Sequence, residues 1–131
     1  MSKKGLPALR AGSLRTKESV TEALRTALDK SGLDREAVAH ELSRLVGEDV
    51  SVHTINNWCA EGAHNRRIPL EFAAALAVIT GSADILDAAV KVAGFRVLDR
   101  EQAPYYELGV LTAEERTRRK RKKQIEDRIG L

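Results

Sequence analysis

The side chains best suited to chemistry in this chain lie together in Ser51-Val52-His53-Thr54-Ile55-Asn56-Asn57-Trp58. Ser51 is suited to opening a helix, because its hydroxyl can accept a bond from a free backbone N–H. Ile55 and Trp58, three apart, then share the buried face of that helix. The outward positions fall to His53, Asn56 and Asn57, with Thr54 to the side and Ser51 at the helix start. These short polar groups both donate and accept at base edges, and asparagine is shaped for bidentate contact with adenine in the major groove. The chemistry expected of Ser51, His53, Thr54, Asn56 and Asn57 is therefore hydrogen-bond readout of a base sequence. The competing reading is an ordinary amphipathic helix with a solvated face, although such faces more often carry Lys and Glu than a block without acids.

Two further groups offer phosphate contacts. Arg66 and Arg67 adjoin in a polar connection after Trp58 and form a candidate clamp, or else a surface pair that anchors the acidic body; His64 reads as loop surface. Near the C-terminal end, Arg116, Arg118, Arg119, Lys120, Arg121, Lys122 and Lys123 put seven cations into eight positions. Spread round a helix, they repel one another and should fray it unless a polyanion such as DNA neutralises them. A solvated charge run is the plain alternative.

Positioning these groups requires a helical scaffold. The apolar stripe Val20, Ala23, Leu24, Ala27, Leu28 predicts a first helix from about Ser19 to Lys30, stopped by Ser31-Gly32. Asp34 is a good cap for a second helix with Val38, Ala39, Leu42 and Leu45 inward, and Gly47 with Glu48-Asp49 turns the chain into Ser51. Ile68-Pro69 opens a fourth helix, apolar almost all round and expected to be the central packing element, ending at Thr80-Gly81. A fifth starts at Ser82 or Asp84 and closes at Gly94. Phe95 to Leu98 alternates weakly, like a short strand without a partner, so 95–111 reads as a connector. Its Tyr105, Tyr106, Leu108, Val110 and Leu111 suggest docking on the body or on a second subunit. Thr112 and Glu115 form a capping box, so a basic terminal helix is expected over 112–131. The expectation is an all-α, compact four- to five-helix domain of lambda-repressor-like helix-turn-helix type over 18–94. A flexible basic arm (1–17) precedes it.

Composition narrows the function. Net charge is +3, but 1–17 carries +5, 18–115 carries −8 and 116–131 carries +6, so attraction to phosphate comes from the extensions and a few local arginines. Alternatively, the extensions fold back onto the acidic body. The single cysteine, Cys59, excludes an intrachain disulfide and reads as a small buried hydrophobe. No apolar run approaches the ~20 residues that cross a membrane, and no secretory signal is visible, so the cytoplasm is the expected compartment. Nothing matches a metal-ligand spacing, a Gly-rich phosphate loop or a nucleophile beside a base. An enzyme is not expected, nor a cofactor, nor a small-molecule effector.

Val38-Ala39, Ser51, Ile55 and Trp58, followed by Ile68-Pro69 and Leu76-Ala77-Val78-Ile79-Thr80-Gly81, resemble the CII-type transcription activators of lambdoid phages over about residues 20–94. The resemblance implies a phage or prophage regulator, acting as an oligomer on double-stranded DNA with its recognition helix in the major groove. One spacing departs from it: Ala39 and Ile55 are sixteen apart, where a compact motif has about ten, so either the second helix is longer or the turn through Gly47 is expanded. A homodimer or tetramer is expected, since one short helix covers little DNA. The alternatives are a protein-interaction module with a basic tail, or a non-specific DNA-binding accessory of phage replication or transposition.

Overall fold

A computed structural model describes residues 5–62 and 66–131; the reading of His64 and of the first four residues of the arm lies outside them. Among the described residues the chain is all-α, with six α-helices and no strand. It divides into two compact units, Met1–Val97 and Leu98–Leu131. None of the described helices is long and apolar enough to cross a membrane.

The first unit contains α1 (Lys17–Ser31), α2 (Arg35–Val46), α3 (Val52–Cys59), α4 (Ala73–Thr80) and α5 (Asp84–Val90). Helix α1 begins two residues before the expected Ser19, and Lys17, assigned to the arm, is its first residue. Lys17 Nζ donates to Gly62 O (3.1 Å) and Arg15 pairs with Glu18 (3.1 Å), so the end of the arm is bonded to the body. Asp34 caps α2 as its type predicts, its carboxylate accepting from the Ala37 N–H at 2.7 Å.

The core is built from one stripe of each helix. Leu24, Val38, Leu42, Ile55 and Leu76 are fully buried; α1 packs on α3, α4 and α5, while α2 packs on α3 and α4. Trp58 lies against Phe72 with ring centroids 5.4 Å apart, within the range of favourable aromatic contact. Two inward assignments are corrected. Leu45 is exposed, since α2 buries Val38, Ala39 and Leu42 and packs Val46 partly against the core. Helix α4 is not buried all round: Ala73, Ala75 and Leu76 pack inward, whereas Val78 is 73% exposed, and in the turn before it Phe72 is buried and Leu70 is 79% exposed. A helix apolar on every side has no preferred face, so the neighbours it meets choose one. Pro69 does not enter the first α-helical turn; it precedes a 3-10 turn, Leu70–Phe72, and α4 starts at Ala73.

Helix α5 runs on through a 3-10 turn at Lys91–Ala93 to Gly94, whose φ of +90° ends it in the left-handed region. Phe95 to Leu98 is not a strand. The Asp87 carboxylate holds this segment instead, accepting from the Val97 N–H and from Arg96 Nε at 3.0 Å each.

The second unit consists mainly of α6 (Ala103–Ile129). Its start corrects the sequence reading by nine residues. Thr112 and Glu115 do not cap it; Thr112 sits mid-helix and its hydroxyl donates to Leu108 O (2.9 Å). The reciprocal pair lies in the turn that leads into it: the side chains of Asp99 and Gln102 bond each other's backbone N–H groups at 2.7 and 3.1 Å. Tyr105, Tyr106, Leu108, Val110 and Leu111 therefore belong to a helix, not a connector, and all are exposed. The seven cations all lie within α6.

Candidate nucleic-acid interface

Helix α3 is presented by the connector that precedes it. Gly47 ends α2 at φ +77°, where a side chain would be strained, and the chain takes five residues, Gly47–Ser51, to reach α3. That exceeds the three- to four-residue turn of a compact helix-turn-helix. The longer connector is stitched by Ser43. Its hydroxyl accepts from the Val50 N–H (2.9 Å) and lies within bonding distance of Ala39 O (2.7 Å) and Val50 O (3.1 Å). With Val50 itself buried, the entry to α3 is fixed from both ends. Ser43 carried no signal in the sequence, because a serine inside a helix has no single expected partner.

Packing then sets the rotation of α3. Ile55, Trp58 and Cys59 are buried, so His53 and Asn57, four apart, lie near the middle of the opposite face, with Asn56 beside them. His53 and Asn56 are exposed; Asn57 is half-exposed. The five candidate base readers separate by how far the protein already occupies them. Ser51 accepts from the Thr54 N–H (3.1 Å) and shares a hydroxyl bond with Thr54 Oγ1 (3.0 Å), so both belong first to the cap. Asn56 Oδ1 accepts from an Arg35 guanidinium nitrogen at 3.1 Å, which leaves its amide NH₂ as the freer group. Among the described residues, the side chains of His53 and Asn57 make no hydrogen bond.

Arg35 is a contributor that the sequence reading missed. From the first turn of α2 the same nitrogen also reaches Cys59 Sγ (3.2 Å). Cys59 is thus buried, as expected of a small hydrophobe, and in addition accepts a charged donor. An arginine next to a capping aspartate reads as solvated; only the crossing of α2 and α3 brings it to Asn56.

Besides Arg35, two cations lie in the segment after α3. Arg66 N–H donates to Asn57 O (3.3 Å), so this segment returns to the end of α3. Arg66 and Arg67 are both exposed. Arg67 lines the rim of a half-open cleft of about 330 Å³ with Arg15 and Lys17, over a floor that includes Trp58, Ile68 and Ile85. Two basic groups separated by some fifty residues are thereby brought together. Arg25 is unavailable, being paired with Glu61 at 2.8 Å, and that bond holds the Glu61 carboxyl below its ordinary range. Glu48 and Asp49, exposed in the connector before α3, oppose a phosphate there.

The seven-cation run lies on α6, with every one of its side chains exposed. Within the run, Lys122 has an acidic neighbour, Glu126, at 3.8 Å. Among the described residues no group of His, Cys, Asp and Glu could hold a metal ion. Comparison of the chain with protein-family models, with curated proteins and with solved structures finds no match.

Proposed function

We propose that this protein is a sequence-specific double-stranded DNA-binding regulator of transcription, reading the major groove with residues 51–60. Its scaffold would be a lambda-repressor-like helix-turn-helix with an expanded turn, and its setting a phage or prophage. One observation carries the reading: α3 turns a face with no acidic side chain outward, centred on His53 and Asn57, while Ile55, Trp58 and Cys59 lock its rotation. A base-edge reader needs both, because bidentate contact tolerates little rotation. Arg66 and Arg67, returned to the end of that helix, supply the local phosphate contact, and α6 supplies attraction without sequence preference. A helix of eight residues contacts only a few base pairs, so tight binding calls for two or more copies on one operator.

A specific observation favours a second reading, a protein-interaction module. Leu70 and Val78 are exposed on the first unit, whose residues 18–97 hold eight Lys/Arg against twelve Asp/Glu and so carry −4. Selection from a random duplex pool at moderate salt, followed by sequencing, decides between the two. An enriched motif with helical-turn spacing is the expected result; retention without enrichment assigns binding to the basic extensions alone, and no retention favours the interaction module.

A further inference from the structure

Helix α6 is 27 residues long and buries none of them. Helices in proteins draw most of their stability from a packed face, and α6 has a face suited to packing. Leu108, Leu111, Glu115, Arg118, Lys122, Ile125 and Ile129 follow in alternating steps of three and four, one unbroken heptad seam. Its apolar members lie at the two ends, where Leu108, Leu111, Ile125 and Ile129 are 62%, 61%, 44% and 64% exposed.

We infer that α6 pairs with α6 of a second copy, and that the two helices run antiparallel. Charge decides the direction. A parallel pair sets Glu115 against Glu115, Arg118 against Arg118 and Lys122 against Lys122. An antiparallel pair centred between Arg116 and Thr117 instead sets Leu108 across from Ile125 of the second copy and Glu115 across from its Arg118. Leu111 then meets the aliphatic stem of Lys122, whose ammonium can reach outward to solvent. The flanks agree in the same register: Glu114 meets Arg121 and Glu107 meets Arg128, each twice by symmetry. Arg118 and Lys122 are thereby withdrawn from phosphate, while Arg116, Lys120 and Lys123, off the seam, stay free for it. The pairing is argued from α6 alone and does not depend on α3 reading bases.

The test is the mass of the full chain in solution without DNA, by sedimentation at micromolar concentration. The unaltered chain should be a dimer. Glu114→Lys with Glu115→Arg, and separately Arg118→Glu with Arg121→Glu, should each weaken dimerisation by about tenfold or more. Mixing the two altered chains should restore a dimer, because every seam and flank pair is then again of opposite sign. A chain carrying all four changes should dimerise by itself. A monomeric unaltered chain, a dimer indifferent to both variants, or a mixture that stays monomeric would each overturn the pairing. Since no DNA is present, none of these outcomes bears on the reading of α3, which the duplex selection tests separately.

Discussion

Helices α3 and α6 offer polar groups to their surroundings by opposite means. The shorter, α3, has eight residues, three of them buried; α6 has 27 and none. A helix of eight residues is below the length that persists by itself in water, so α3 exists because Ile55, Trp58 and Cys59 are packed, and its outward groups inherit a fixed rotation. Within a single copy the supports of α6 are only local ones, the Asp99–Gln102 pair before it and the Lys122–Glu126 pair along it, against an interior glycine, Gly109, that costs about 1 kcal/mol relative to alanine. A fixed rotation suits discrimination between bases, whereas a charged rod suits attraction that ignores sequence.

That contrast breaks most sharply at Trp58. Trp58→Ala removes the ring packed on Phe72 and should cost the first unit about 3–5 kcal/mol, while Leu111→Ala should leave the same unit's denaturant midpoint unchanged. A midpoint insensitive to Trp58→Ala would mean that α3 is not held by its packed face. Removing 116–131 should weaken binding to random duplex by on the order of a hundredfold, and binding to an operator by more because the seam that pairs two copies goes with it, and should flatten the salt dependence by about 0.9 for each phosphate no longer neutralised. Changing only Arg116, Lys120 and Lys123 to Gln should do part of this without altering the mass of the unbound protein. Next in size is Asn57→Ala, expected to lose about 1–3 kcal/mol of discrimination at one base pair with little change at the others; unchanged preference in the duplex selection would exclude Asn57 from the reading face.

The smallest effect concerns the exit from α5. The Asp87 carboxyl is held below its ordinary range, first by the Val97 N–H and then by Arg96. Its stabilising bonds are fully present above the unfolded value near 4 and are lost as pH falls through the lowered folded value. Amide exchange at Val97 should quicken in that acid window while exchange at Ile55 does not, and Asp87→Asn should abolish the pH dependence.

Much of the first unit was legible because its signals are local. Asp34 and Ser51 cap as aspartate and serine do, and Gly32, Gly47 and Gly94 end their helices with positive φ. The boundary of α6 was misread for an instructive reason. Thr112 and Glu115 match a capping box, but a threonine inside a helix bonds the carbonyl four residues back equally well, and here it does so. The nearer signals were the Asp99–Gln102 pair, which closes the turn leading into α6, and Pro104, which stands in its first turn. On the candidate interface, residue type and periodicity placed His53 and Asn57 outward but could not separate them from Asn56.

What the sequence determined by itself was therefore the helices of the first unit, their caps and the segregation of charge, because each follows from residues within about one turn of one another. Which face of α4 meets solvent, how Ser43 holds the longer connector and how Arg35 occupies Asn56 were decided only in three dimensions. Those outcomes depend on the angle at which helices cross, and that angle is set by the summed packing of distant side chains rather than by any local pattern.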